Sequence, residues 1–525
     1  MPKNYLIGIG GTGARVIEAV INLCAAGYGP EELSVFIVDP DAGNGNLTRT
    51  KSLIADYKKC RDALKRTPDN PIFKTDIKIP PDEKGFVWEI FTDKGSTLSS
   101  FINYENMKRK KKELADFASV LFSNQELDTQ LNEGFRGHPS IGSVVMSNPD
   151  TESYPFKMLF DDLAERKIND VKVFLVGSVF GGTGAAGFPT FGSKQILKYH
   201  PAAKVGENKS KILLGGALVL PYFTFELDNE TSEKMFVTAN DFPLATKAAL
   251  QYYNEKDLGF DEIYFIGDSL GQKVGKFGVG SKKQENSPHY IELVSSLAAF
   301  DFYRQEDTKE TAEKMLFTAS RESTKISWDS LPVSRDATVI RKEQGKLKTL
   351  LTTMTVFAYS YLTFGKKILA TNHRDIKDTW YVENFKFNNK DQQDKEKDPR
   401  QNPNKDPLDD FEKFLNNFLF WIASMDDDSG KVNFIDKKVL MNGEMEKGKP
   451  RLFDPENDVT KNNIGQLLKN EKSKNEDFRI FKNKLNDVKL DKRIAIASDK
   501  YLNIFYEAAA AYSKSNYNVE SNNTK

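Results

Sequence analysis

The chain has 525 residues, 39% of them hydrophobic, enough for two or three domains with substantial cores. Lysine plus arginine equals aspartate plus glutamate at 75 each, so no global field draws it to nucleic acid or an anionic membrane. Two cysteines, Cys24 and Cys60, exclude a disulfide framework and suit a reducing cytosol.

The first residues read as a βα element, not a continuous apolar signal region. No stretch approaches the roughly 20 apolar residues that span a bilayer, and the expected location is cytoplasmic. Tyr5-Leu-Ile-Gly-Ile9 is a short apolar strand, Ala14 to Ala26 carries Val16, Ala19, Val20 and Leu23 at helical spacing, and Leu33 to Val38 is rich in β-branched residues. That is a βαβ unit. At its strand-to-helix junction lies Gly8-Ile-Gly-Gly-Thr-Gly13. Glycine admits close approach of backbone amides to a ligand, and a helix N-terminus offers unpaired N–H groups and a positive dipole end, so the junction suits an anion. The unit ends in Asp39-Pro-Asp41 and the turn-rich Ala42 to Asn46, just past a strand's carboxyl end, where open α/β sheets bind ligands. Taken alone, this segment equally fits the dinucleotide fingerprint, with Gly8, Gly10 and Gly13 as G-x-G-x-x-G and Asp39 for a ribose. A Rossmann-type NAD enzyme is therefore an alternative.

Residues from about 53 to 133 read as a long insertion. Within it, Lys108-Arg-Lys-Lys-Lys112 starts a segment continuing as an amphipathic helix to Phe122, read as a solvated helix face rather than a nucleic-acid patch. After the apolar run Val171 to Val179 comes a second glycine loop, Gly181-Gly-Thr-Gly-Ala-Ala-Gly187, again at a strand-to-helix junction. A helix beginning near Thr183 points its first amides at an anion, and the Thr183 hydroxyl can cap it or donate to the same anion. Gly267-Asp-Ser-Leu-Gly271 imitates a serine-hydrolase elbow, but His138, His200, His289 and His373 all lack the Asp-x-x-His context of a base. The histidines and cysteines also lack metal-ligand spacing. Ser287 to Tyr303 is apolar all round, which predicts a helix buried on every side, capped by Ser287 with Pro288 in its first turn. From Asn384 to Asp406 the chain is polar and charged, a linker or disordered loop. Asp406-Pro407 then caps a helix whose stripe of Phe411, Phe414, Leu415, Phe418, Leu419, Trp421 and Ile422 needs a partner.

Gly181 to Ala186 resembles the signature loop of the tubulin/FtsZ superfamily, and other stretches resemble that family's nucleotide loops in the family's order. Gly8 to Gly13 is similar to its first phosphate loop and Asp39 to Asp41 to its second. Gly134-Phe-Arg-Gly-His-Pro-Ser-Ile-Gly142 is similar to the third, where a backbone turn around Gly137 meets the terminal phosphate. Leu218 to Glu226 is similar to the fifth, whose acidic residue reaches the ribose. Over about residues 1 to 310 the chain thus resembles a divergent bacterial tubulin-like protein.

The resemblance implies an α/β fold: a tubulin/FtsZ-like nucleotide-binding domain with a parallel sheet at 1–285, a buried central helix at 286–305, and a smaller α+β second domain at 306–383. The linker at 384–406, a C-terminal helical extension at 407–512 and a polar tail at 513–525 complete the chain. The implied ligand is GTP or GDP with Mg2+ carried by its phosphates. It is held by Gly10, Gly11, Thr12, Gly13, Asp39, Asp41, Gly137, Gly181, Gly182, Thr183, Gly184, Ala185 and Glu226, with Asp268, Asn286 and His289 near the base. Head-to-tail self-association into filaments is implied as well. The loop after the central helix departs from the pattern: Asp301-Phe-Tyr-Arg-Gln-Glu-Asp307 lacks the family's Asn-x-Asp-x-x-Asp-like acids. Asp301, Glu306 and Asp307 are the candidates left to activate water for GTP hydrolysis. The alternative is a non-hydrolysing, nucleotide-gated scaffold whose partner protein docks through residues 53–133 or the C-terminal region.

Overall fold

The computed structural model describes residues 3–516 apart from 42, 65–68, 82, 89–94, 132–134, 136–137, 148, 166–170, 193–196, 199, 205–209, 227–241, 257, 270–271, 277–285, 306–313, 321–324, 386–396, 402–404, 427–429, 441–463 and 468–477. Its centre is a parallel sheet. Strands β1 (Lys3–Ile9), β2 (Glu32–Val38), β3 (Asp76–Lys78), β4 (Val87–Trp88), β5 (Val171–Ser178) and β6 (Ile212–Val219) are joined by β8 (Glu262–Gly267) and β10 (Lys314–Ala319), in the order β10-β8-β6-β5-β1-β2-β3 with β4 also on β2. A separate parallel pair joins β7 (Phe223–Glu226) to β9 (Gln272–Lys276). Strands β1, β2 and β5 are apolar along nearly their whole length and buried on both faces, as a parallel sheet covered by crossover helices requires.

Helix α1 (Gly10–Ala25) follows β1, α2 (Gly45–Leu64) follows β2, and α3 (Pro139–Met146) packs on α4 (Gly182–Gly192), which follows β5. Helix α5 (Tyr290–Arg304), the central helix of the sequence reading, lies beside α1 and across β5, β6 and β8. Two successive glycines of β6 show how the layers sit: a Cβ on Gly215 would be 2.6 Å from the Phe302 ring of α5, and one on Gly216 2.5 Å from the Phe188 ring of α4. Successive strand residues point to opposite faces, so α4 and α5 cover opposite sides of the sheet.

Four expectations are corrected. The central helix starts at Tyr290 and its cap is His289, not Ser287: His289 Nδ1 accepts from the Ile291 N–H at 3.2 Å, and the Glu292 carboxylate accepts from the His289 N–H at 2.8 Å. That reciprocal capping box leaves Ser287 and Pro288 outside the helix. No α+β second domain is built from the described residues of 306–383. Strand β10 instead extends the main sheet, register Lys314↔Glu262 to Ala319↔Gly267, with the Phe317 ring stacked 4.9 Å from Phe265. The residues that follow form helix α6 (Ile340–Ser360), packed with α7 (Lys405–Ser424) and α9 (Ala497–Asn516), while α8 (Phe478–Asp487) packs on α9. The stretch expected to begin an insertion at residue 53 is continuous with α2, which runs on to Leu64 with Leu53, Ile54, Tyr57 and Cys60 buried, and β3 and β4 widen the sheet. The basic helix is two, Tyr104–Lys110 and Lys112–Leu121, because Lys111 leaves helical geometry.

Part of the expected linker is folded. Asp398 is buried and held by the Arg400 side chain through two hydrogen bonds of 2.8 and 2.7 Å and by the Arg400 N–H at 2.9 Å, while Arg400 also donates to the Thr371 carbonyl at 2.8 Å. The apolar stripe that follows is buried as expected, and its partner is α2: Phe414 meets Phe73 at 4.9 Å and Tyr57 at 6.2 Å between ring centroids. The polar tail expected from Ser513 starts later, since α9 reaches Asn516 with Ser513 buried. Replacing Phe414 by Ala empties the centre of this aromatic contact and is predicted to cost about 3–5 kcal/mol, read as a lowered unfolding midpoint in denaturant. An unchanged midpoint would mean that the C-terminal layer does not share the core.

Candidate functional site

The two glycine loops leave the same edge of the sheet side by side, because β1 and β5 are neighbours with Gly8 opposite Val176. Gly10 opens α1 with a positive φ of 71°, a conformation an L side chain rarely takes. A Cβ there would lie 3.3 Å from Thr183 Cβ and 3.5 Å from the Gly184 nitrogen. The first turns of α1 and α4 therefore converge, and their unpaired N–H groups and positive dipole ends share one space.

The glycines divide by role. A Cβ on Gly13 would meet Gly8 C at 2.6 Å and the Val176 carbonyl at 2.8 Å; one on Gly184 would meet the Ser178 nitrogen at 2.7 Å. These glycines let the helices sit down on the strands, so Gly184→Val drives into backbone and reports folding as much as binding. Gly11 faces outward instead, toward Asn46 and Asn44 at 3.4 and 3.6 Å.

Those asparagines belong to the turn-rich stretch from Ala42 to Asn46, where the sequence assigns them no individual role. The Asn286 N–H donates to Asn46 Oδ1 at 2.9 Å, Asn46 Nδ2 donates to Asn286 Oδ1 at 3.2 Å, and the Asn46 N–H donates to Asn44 Oδ1 at 2.9 Å. Asn286, expected at the base, is thus a strut joining the residues ahead of α5 to the start of α2. Asparagine in a glycine-rich turn reads as a conformational residue, and nothing in its spacing signals a partner 240 positions away. Beside it, buried Asp39 accepts the Asp41 N–H at 2.9 Å. Burial pushes the Asp39 carboxyl up to about 8, against that hydrogen bond.

A second unforeseen group ties α1 to α5. Arg15 Nη2 donates to the Tyr222 hydroxyl at 2.5 Å, Arg15 Nε lies 2.7 Å from Glu292 Oε1, and the Tyr222 hydroxyl donates to the same oxygen at 2.8 Å, all buried. His289 packs on Tyr222 with ring centroids 4.8 Å apart. Burial lowers the His289 imidazole to about 3, so it is neutral and serves as a cap. Tyr222 lies in the stretch likened to the fifth loop and His289 among the residues expected near the base, whereas Arg15 and Glu292 belong to no motif.

Asp268 sits at the end of β8, where the site was expected, but its carboxylate is gripped by Lys431 and Ser320 and by the Ser269 N–H at 2.6 Å. Burial alone would raise the Asp268 carboxyl; hydrogen bonds from Lys431, Ser320 and Tyr290 hold it below the usual range. Lys431 also donates to Ser269 Oγ at 3.0 Å. An ammonium paired to a carboxylate is no base, so the Gly-Asp-Ser-Leu elbow has no activating group there. Glu226 ends β7, and its side chain and Gly137 lie outside the described residues.

Asp301 is at the opposite edge of the sheet. Arg335 Nε meets Asp301 Oδ2 at 2.8 Å while its other nitrogens reach both oxygens of Glu262, the first residue of β8, at 2.6 and 2.5 Å; the Tyr264 hydroxyl donates to Asp301 at 2.8 Å. A buried carboxylate so engaged cannot activate water on a neighbouring subunit, which corrects its expected catalytic role. Glu306 and Asp307 lie outside the described residues.

Among the described residues no three His, Cys, Asp or Glu side chains are placed to hold a metal, and no helix is long and apolar enough to cross a membrane. No protein-family model matches the chain, and no curated protein matches it in sequence.

The raised Asp39 carboxyl makes stability pH-dependent. An unfolded aspartate ionises near 3.9, whereas the folded one keeps its proton to about 8, so stability falls as pH rises between these values, at most about 1.4 kcal/mol per unit. Asp39→Asn should raise the ligand-free thermal midpoint at pH 8 and leave it unchanged at pH 4. His289 acts the other way: its share of stability is lost as pH falls from about 6.5 toward 3. Equal midpoints for Asp39→Asn and the parent at pH 8 would refute the assignment.

Proposed function

We propose that the chain is a tubulin/FtsZ-like protein that binds a guanine nucleotide, GTP or GDP, and assembles head to tail. The observation that carries this reading is the meeting of Gly10 with Thr183 and Gly184, which brings two helix N-termini to one point. Two positive dipole ends and two sets of free amides suit a polyphosphate better than a single phosphate. The strand order adds support. From β1 the chain proceeds to β2 on one side, and from β5 to β6 on the other, so the loops flank the point where the winding reverses. In this reading magnesium is carried by the phosphates.

The NAD alternative needs Asp39 facing a ribose, and its burial against the Asp41 N–H argues otherwise. A second reading rests on the Arg335–Asp301 pair: the nucleotide gates assembly or a partner protein, and no hydrolysis passes through Asp301.

Gly11→Val projects methyl groups toward Asn44 and Asn46 without touching strand backbone. It is predicted to weaken GTP binding at least tenfold in isothermal titration, with the ligand-free thermal midpoint within a few degrees of the parent. Parent and variant binding GTP equally would remove the site, and a bound nicotinamide in the purified protein would replace the ligand. Sedimentation with GTP, GDP and ATP, alongside phosphate release, separates filament, scaffold and GTPase.

A further inference from the structure

Residues 97–131 stand apart from the nucleotide site. Their base is closed by the antiparallel bridge Thr97–Gln130 and by hydrogen bonds from Leu98 N–H to Thr129 and from Leu131 N–H to Ser96, at 3.2 and 2.9 Å. Leu98, Phe122, Leu127 and Leu131 anchor this base in the core. Beyond it extends an arm of two helices. Tyr104–Lys110 buries no residue, and Lys112–Leu121 buries only Ala115 and Ala118. Helices of 7 and 10 residues fall below the length, about 12–15, at which a helix is even marginally stable alone in water. So thin a contact with the body leaves the outer face to be covered by something else.

That face carries four large apolar side chains. Leu114, Phe117 and Leu121 recur at i, i+3 and i+7 with exposures of 48%, 61% and 53%, and Val120 beside them is 82% exposed. At 100° per residue these four lie within an arc of about 120° that borders the buried Ala118 and also contains Glu113. At the junction of the helices run five consecutive cations, Lys108 to Lys112. Lys108 pairs with Glu105 at 2.7 Å, whereas Lys110, Lys111 and Lys112 make no ion pair among the described residues. Lys111 and Lys112 stand at the N-terminal end of Lys112–Leu121, where the helix dipole is itself positive, an unfavourable placement that an anionic layer relieves.

We propose that this arm docks on an anionic lipid bilayer. Leu114, Phe117, Val120 and Leu121 enter the boundary between headgroups and acyl chains, and Lys110 to Lys112 meet the lipid phosphates. Five contiguous cations beside these exposed apolar side chains suit an anionic layer better than a protein groove. Glu113 and Asp116 on the same helix keep the attachment weak, reversible and salt-sensitive.

The test is flotation of the full chain, without nucleotide, with phosphatidylcholine vesicles and with vesicles that also contain phosphatidylserine. The parent should float with the anionic vesicles only and be released by raised salt. Phe117→Asp with Leu121→Asp, and separately Lys110→Glu with Lys111→Glu and Lys112→Glu, should each reduce the floated fraction at least fivefold. Both variants change exposed positions, and matching circular dichroism and thermal midpoints establish that they fold. No flotation of the parent with anionic vesicles, or equal flotation of parent and both variants, overturns the proposal. A parent dimer in sedimentation equilibrium that Phe117→Asp with Leu121→Asp makes monomeric overturns it too, by giving the face to a second copy of the chain.

Discussion

Everything at the carboxyl edge of the sheet depends on two helices resting directly on strand backbone. Gly13 on α1 and Gly184 on α4 leave no room for a Cβ against Gly8, Val176 and Ser178. Because β1 and β5 are adjacent, seating both helices this closely forces their first turns together, and the convergence of amides follows from packing before any ligand is considered. A methyl group at either position would lift one helix and separate the two N-termini.

Helix α5 is the strut that carries this edge to the other. At its start Glu292 is tied to Arg15 and Tyr222; near its end Asp301 is tied to Arg335; and Lys172 donates to the Tyr303 carbonyl at 3.1 Å. Buried charges of this kind cost desolvation and hold only while each keeps its partner, so they fix geometry more than they add net stability. The same pairing at the far end removes Asp301 from chemistry. The C-terminal region is bound into the arrangement by the Phe414 contact with Tyr57 of α2, by Lys431 on Asp268 and by the Trp328 indole donating to the Phe434 carbonyl.

The glycine loops, the parallel α/β sheet and the buried central helix were legible because each rests on local pattern. An apolar strand running into glycine and then a helical period marks such a junction without any long-range knowledge, as Gly8 to Gly13 and Gly181 to Gly187 show. The cap of α5 was read two residues early because Ser287 and Pro288 are strong local signals, and only the reach of Glu292 back to His289 overrode them. Strand β10 falls within the residues expected to form a second domain, because a strand carries no mark of the sheet it will join.

The sequence by itself determined where strands turn into helices, which faces are apolar, and which junctions can accept an anion, since these follow from side-chain period and from glycine's missing Cβ. Only the tertiary structure decided which polar groups face one another. Asn46 with Asn286, Arg15 with Glu292, Asp301 with Arg335 and Asp268 with Lys431 are each brought together across the chain by packing of the helices and the sheet edge. A hydrogen bond or ion pair reaches only a few ångströms and carries no trace in sequence spacing, so whether a carboxylate serves a ligand or a neighbouring side chain is settled by the fold.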